Sequence, residues 1–374
     1  MTIHELEEID LNRSIELLPQ KLKKISSSPK NAPLNIVYLM IWTKVCGGSK
    51  IILEYANKIN ERGHNITIIS YDKKPDWFKL NSDINFIEVP STRDWKDYIP
   101  NCDVIVATSW KSIYSAVESQ KAPVAFFEQG GSHIFDINNL SQKKKQVVQN
   151  RVNLVPFIYT VSSYTKHKIK ENYGRESDVI YNAVDNNIFY PRKLNKLENK
   201  DIIDITIIGS EEFKFKNIEN VLNAIRILKK QYNNINLNWI TQTKPIKNKE
   251  TAIINPNQKE IGDILRKTDI YICNSEYESF GLPTLEAMTC GAAVITTDTG
   301  GMRDFVKDGY NALITKQNNI DDIVEKARML IEDKKLRKML SENGIKTAKK
   351  FNWNESVSQS IKYYNKIAQY KVKI

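Results

Sequence analysis

The feature that most constrains this chain is a pattern that runs twice: short apolar segments alternate with stretches whose apolar residues recur at helical spacing. In the first pass LNIVYLM leads toward Gly47 and Gly48, and Ile51, Ile52, Tyr55, Ala56 and Ile59 then line one face of a helix. NITIIS, INFIEV (84–89), DVIVAT (103–108), PVAFFE (123–128) and FIYTV (157–161) follow as further strands. The pattern restarts with DITIIG (204–209), a helix through Ile218, Val221, Leu222, Ile225 and Leu228, and the strands INLNWI (235–240), DIYIC (269–273), AAVITT (292–297) and NALIT (311–315). Alternation of this kind predicts parallel sheets covered on both faces by helices. With 374 residues the chain exceeds what one core usually spans, so each pass is expected to be a domain of its own.

Residues 1–33 read as an N-terminal helical extension and linker, with Leu6, Ile9, Leu11, Ile15, Leu17, Leu18 and Leu22 at loosely helical spacing before KLKKISSSPKNAP. The expected domains are then 34–190 and 191–355, joined near YNAVDNNIFYPRK where Pro191 interrupts the periodicity. A last helix occupies 356–374, with Ile361, Tyr364, Ile367 and Tyr370 on one face.

Several function classes drop out. No run reaches the roughly 18 apolar residues of a membrane span, and MTIHELEEID lacks the order of a signal peptide, so a cytoplasmic location is expected. The four cysteines (Cys46, Cys102, Cys273, Cys290) are far apart and form no C-x-x-C pair, against a zinc site or disulfide framework. A formal charge of +11 suits anionic partners, but the chain is rich in lysine throughout and no zinc-finger or RNP-like pattern supports nucleic acid. Lys143–Lys144–Lys145 and Lys166, Lys168 and Lys170 read either as a contact with an anionic membrane or as a solvated face. Neither G-x-G-x-x-G nor G-x-x-x-x-G-K-[ST] occurs, which disfavours a dinucleotide dehydrogenase or P-loop NTPase.

Doubly wound sheets bind ligands at the carboxyl ends of their strands, and the most informative such segment is NSEYESFGLPTLEAMTCGAAVITTDTGGMRDFV, residues 274–306. Ser279 to Leu282 reads as a loop and Pro283 as the first helical residue, where a missing N–H is harmless. The amides of Gly281 and Leu282 then face outward at a helix start, a place suited to an anionic diphosphate. Glu278 and Glu286 bracket the loop. Carboxylates accept hydrogen bonds from hydroxyls and repel phosphate, so the arrangement fits a ligand with hydroxyls on both sides of a diphosphate, such as a nucleotide sugar. Acidic residues near a helix start also serve as plain dipole partners.

The run from Glu278 through seven residues to Glu286, in the setting E-S-F-G-L-P-T-L-E-A-M and followed by G-A-A-V-I-T-T-D-T-G-G, resembles the E-x7-E signature of retaining glycosyltransferase family 4. YTVSSYTKHKIKENYG, YNAVDNNIFYP and the G-S…F-K-N segment at 209–217 agree in the same order, so the resemblance covers nearly all of 34–370. It implies an α/β GT-B fold: two Rossmann-like doubly wound domains facing a cleft, acceptor side first and donor side second, with the C-terminal helix crossing back. It also implies retaining transfer of a hexose-type sugar from a UDP- or GDP-linked donor, as substrate and with no further cofactor, to a glycan, lipid-linked or protein acceptor in cell-wall or cell-surface polysaccharide synthesis. No D-x-D pair occurs, in keeping with a metal-independent reaction.

By the same resemblance Glu278 would contact donor-sugar hydroxyls, the backbone of Phe280, Gly281 and Leu282 would hold sugar and diphosphate, and Glu286 would bind the ribose. Lys216 would neutralise charge on the departing diphosphate, and Gly47 and Gly48 would approach the donor from the first domain. Where the family has an arginine after Gly209 this chain has Ser210 and Glu211, with Lys214 expected to take over that diphosphate contact. Where it often has a histidine, this chain reads Glu128-Gln129-Gly130-Gly131-Ser132-His133, which makes Glu128 the positional counterpart with a catalytic role on the acceptor side and His133 the second candidate. A catalytically inactive GT-B protein that binds glycans or a partner is the alternative, and another GT-B enzyme such as a sugar-nucleotide epimerase a third reading.

Overall fold

The computed structural model describes residues 12–13, 15–30, 32–192, 201–246 and 250–373. They form two compact units: one runs to Tyr181 and takes back the chain from Asn354 onward, the other is Asn182–Trp353.

In chain order the first unit opens with a short strand, β1 (Leu22–Lys24), and then builds a seven-stranded sheet from β2 (Asn35–Met40), β3 (Asn65–Ser70), β4 (Asn85–Glu88), β5 (Val104–Ala107), β6 (Val124–Glu128), β7 (Phe157–Thr160) and β8 (Asp178–Val179). The order across the sheet is β4-β3-β2-β5-β6-β7-β8, with every pair parallel. Central strands are buried on both faces, β5 and β6 along their whole length, as expected of continuous apolar runs under helices. The helix Gly47–Asn60 covers one face through Ile52, Tyr55, Ala56 and Ile59, and Ile113, Val148 and Val152 from later helices join Val37, Leu39, Ile105 and Phe126 of the sheet in one core.

The second unit repeats the plan with β9 (Ile203–Ile208), β10 (Ile235–Thr241), β11 (Ala252–Ile254), β12 (Ile270–Cys273), β13 (Ala293–Thr297) and β14 (Ala312–Thr315), ordered β11-β10-β9-β12-β13-β14 and all parallel. Strand order reverses between β2 and β5 in the first sheet and between β9 and β12 in the second. Loops leaving the carboxyl ends of such a pair go to opposite faces and open a crevice, so these two places are where each unit can take a ligand.

The last helix, Trp353–Ile367, packs on the first unit, to which the chain returns as expected. The Tyr364 hydroxyl lies 2.9 Å from that of Tyr38 and 2.6 Å from that of Tyr159, while Tyr363 donates to the Ile158 carbonyl at 3.1 Å. Desolvation holds the Tyr38, Tyr159 and Tyr364 phenols well above the usual tyrosine range, so all three stay protonated. Losing the central hydroxyl would leave two buried phenols short of a partner, a cost of about 1–3 kcal/mol.

Two expectations shift at the chain ends. Leu6, Ile9 and Leu11 of the expected N-terminal helix lie outside the described residues; Asn12, Arg13, Ile15 and Glu16 are helical, and Arg13 is anchored to Glu118 and Asp94. The stretch read as linker contains β1, which pairs antiparallel with β15 (Tyr370–Val372) beyond the last helix. LKK and YKV carry no strand periodicity; each is a strand because the other lies beside it. Among the described residues no helix is long and apolar enough to cross a membrane.

Candidate functional site

At the reversal point of the second sheet, the loop after β9 meets the loop after β12. The Lys216 ammonium lies 2.5 Å from Glu278 Oε1, and the Ser275 hydroxyl donates to the same oxygen at 2.8 Å. Lys216 sits in a short 3-10 turn, Lys214–Lys216, which is tied to the opposite loop by Glu276 N–H donating to the Phe215 carbonyl at 2.7 Å and by Phe215 stacking on Tyr277. Both partners are largely withdrawn from water, with side chains 19% and 14% exposed. Burial works against the charged ammonium, yet the Glu278 carboxylate more than offsets it and holds Lys216 above the ordinary lysine value. Lys214, by contrast, is exposed and lies at the start of the same turn.

Glu278 is also fixed through its backbone. Its N–H donates to Thr299 at 3.2 Å and its carbonyl accepts from Gly301 at 3.1 Å, a one-residue parallel bridge to the turn after β13. That approach is closer than any side chain permits: a Cβ on Gly301 would stand 2.2 Å from the Glu278 carbonyl oxygen. Ser275 and Gly301 therefore position Glu278, and neither was singled out from sequence. The Gly300–Gly301 doublet reads locally as a turn, and nothing in it says which backbone it must meet.

The helix Leu282–Cys290 starts one residue earlier than expected, with Gly281 as N-cap at φ 87° and Pro283 as its second residue. A side chain at Gly281 would be strained by that φ and would also press on Met302. The Gly281 and Leu282 amides have no acceptor among the described residues, leaving two donors at the positive end of the helix dipole. The Phe280 ring is buried against Phe305 and Phe351, so this residue offers its backbone alone. Glu286 lies on the same helix, buried. Ser210 is turned to structural use: its hydroxyl is 2.8 Å from that of Thr243 and accepts from the Glu212 amide at 3.2 Å.

In the first unit, Gly47 and Gly48 form the first turn of a helix rather than a free loop, and neither has a positive φ. Glu128 and His133 are in contact: His133 Nε2 lies 2.7 Å from Glu128 Oε2, while Glu128 Oε1 accepts from the Gly130 amide at 2.6 Å. The two form one buried pair at the end of β6. Gln129 joins this loop to the glycines by donating to the Gly48 carbonyl at 3.3 Å.

Residues 190–347, which hold the Lys216–Glu278 site, match the family described as glycosyl transferases group 1. An uncharacterized glycosyltransferase of Methanocaldococcus jannaschii is 30% identical over 222 residues, 56% of this chain and 60% of that protein. The MMP alpha-(1->4)-mannosyltransferase of Mycolicibacterium hassiacum is 24% identical over 59% of this chain and 56% of its own length. The chain thus spans less than two thirds of either relative. Among solved structures, sucrose-phosphate synthase of Thermosynechococcus elongatus superposes with a TM-score of 0.75 at 13% identity, covering 89% of this chain and 98% of that one. The HepE protein of Anabaena, in complex with UDP and glucose, does so at 0.71 and 16%, covering 89% and 100%. The fold is GT-B.

Proposed function

We propose that this chain is a retaining, metal-independent glycosyltransferase of the family 4 kind, moving a hexose-type sugar from a UDP- or GDP-linked donor to a glycan, lipid-linked or protein acceptor in cell-surface polysaccharide or glycoconjugate synthesis. One observation carries the reading: a lysine–glutamate pair at the reversal point of a parallel sheet, beside two unpaired amides at a helix start. A donor diphosphate suits the amides and the Lys216 charge, and a donor sugar suits the carboxylate of Glu278. The Anabaena protein, solved with UDP and glucose, supports a nucleotide-sugar ligand for a fold of this kind.

In the proposed reaction no enzyme carboxylate attacks the sugar. The bond from the anomeric carbon to the diphosphate breaks, the acceptor hydroxyl bonds to that carbon on the same face, and its proton passes to the departing phosphate. Charge growing on the diphosphate is met by Lys216 and the Gly281 and Leu282 amides, groups already in place before the reaction begins. Glu286 holds the ribose, and Glu128 with His133 serves the acceptor.

A thermal-shift screen against UDP, GDP and their common sugar conjugates tests this. One nucleotide should raise the melting temperature of the wild type, with a smaller rise in Glu286→Ala. No rise at millimolar nucleotide would end the transferase reading. The engagement of Ser210 with Thr243 favours a second reading, a binding partner without catalysis. Stabilisation by nucleotide with no nucleoside diphosphate released in the presence of acceptor glycans would establish that one instead.

The proposal places the protein in the cytoplasm, in peripheral contact with an anionic membrane. The contact would use Lys143, Lys144, Lys145, Lys166, Lys168 and Lys170, of which Lys168 and Lys170 also pair with Glu171 and Glu176. Replacing these six by glutamate should abolish cosedimentation with phosphatidylglycerol vesicles; undiminished cosedimentation removes the contact.

A further inference from the structure

Trp42 stands apart from the other tryptophans of the chain. The residue is 49% exposed, whereas Trp95, Trp239 and Trp353 are buried. Trp77 spends its indole N–H on the Thr43 carbonyl at 2.7 Å. Trp110 carries the Arg151 guanidinium 4.9 Å and the Lys111 ammonium 5.7 Å from its ring centre, so cations already stand over it. Trp42 makes no ring or cation contact among the described residues.

A scattered exposed indole on a loose loop needs no explanation, but this loop is held from both sides. The Thr43 N–H donates to Asp72 at 2.9 Å, the Thr43 hydroxyl to the Lys73 carbonyl at 2.9 Å, and the Ser49 hydroxyl to the Trp42 carbonyl at 3.5 Å. The loop leaves β2 at the reversal point of the first sheet, where Thr108, just past β5, donates to the Leu39 carbonyl through its hydroxyl at 2.8 Å. A large apolar ring is thus kept in water on a fixed backbone, at the one edge of this sheet where its topology opens a crevice.

We propose that Trp42 is the stacking platform for a pyranose ring of the acceptor, which makes the acceptor a carbohydrate chain rather than a small polyol. A pyranose has a face of C–H bonds that packs on an indole while its hydroxyls remain available to polar neighbours such as Lys44. A rigid aromatic side chain supplies that area at little cost in conformational freedom. A lipid surface also receives tryptophan beside lysine, but here Trp42 and Val45 are exposed and Thr43 between them is buried, which falls short of the continuous apolar face that interfacial insertion needs. The inference rests on the transferase reading in taking the bound carbohydrate to be the acceptor.

The test applies the labelled full chain, as wild type, Trp42→Ala and Trp42→Phe, to an array of defined oligosaccharides and to phosphatidylglycerol vesicles, with UDP present. The wild type should retain a subset of the glycans, the alanine variant should bind them about tenfold more weakly, and the phenylalanine variant should keep most of the affinity. Equal melting temperatures without ligand exclude misfolding as the cause. Equal glycan retention by the alanine variant, no glycan bound by the wild type, or a loss confined to the vesicles would each overturn the proposal. The UDP thermal shift separates the two readings. Glycan binding that depends on Trp42 without any UDP response defeats the transferase reading and leaves the platform; a UDP response with glycan binding indifferent to Trp42 does the reverse.

Discussion

Alanine at Lys216 is expected to lower the turnover of sugar transfer roughly 10²–10³-fold, the scale on which a single preorganised donor to developing charge acts. The ammonium lies 2.5 Å from Glu278 and is held there by the turn Lys214–Lys216, so it needs no reorganisation when the diphosphate departs. The loss should fall on kcat more than on the donor KM, because the charge it meets is largest in the transition state. Its pH dependence follows from the direction of the shift. Folding raises the Lys216 pKa above the unfolded lysine value, so the stability contributed by protonation of Lys216 is fully present just below that unfolded value and disappears as pH rises through the higher folded one. Over the neutral range the group is charged throughout, and the wild-type rate should show no inflection from it. An alanine variant with wild-type kcat would reduce Lys216 to a structural partner of Glu278.

Gly301→Ala is expected to destabilise the second unit by about 3 kcal/mol, at the upper end of overpacking costs, and to abolish stabilisation by nucleotide as well. The added carbon would stand 2.2 Å from the Glu278 carbonyl oxygen and 2.4 Å from the carbonyl carbon and oxygen of Ser279. These are backbone atoms and cannot rotate aside. Relief requires the 299–302 turn to leave the 278–279 segment, breaking both hydrogen bonds that fix Glu278. Urea unfolding measures the first effect, as a lower midpoint at unchanged slope, and the nucleotide thermal shift measures the second. A variant with wild-type midpoint and nucleotide response would mean that the turn is free to move and that Glu278 does not depend on it.

Both cases mark where local reading reaches its limit. Lys216 and Glu278 are recognisable residue by residue, but their contact spans 62 positions and depends on β9 and β12 lying side by side. Gly301 is legible as a turn glycine and illegible as the spacer between two backbones. In the first unit, Glu128 and His133 read as competitors for one role, because sequence orders residues along a line; a helical turn at Ser132–Phe135 folds the second back onto the first. Ser210 reads as a departure from a binding pattern, and only the neighbouring Thr243 shows what occupies its hydroxyl.

What the sequence determined by itself is the class of fold. Apolar runs of strand length, separated by helices with one apolar face, can be buried only as parallel sheets between helical layers, and that periodicity is written within a few residues of each position. The tertiary structure decided the rest. Strands β1, β8, β11 and β15, each of two or three residues, have no pattern of their own and exist through the strand that each pairs with. The site likewise arises where the strand order reverses, since that reversal brings together loops far apart in the chain. A pairing of this kind is a property of which surfaces meet, and no local stretch of sequence contains it.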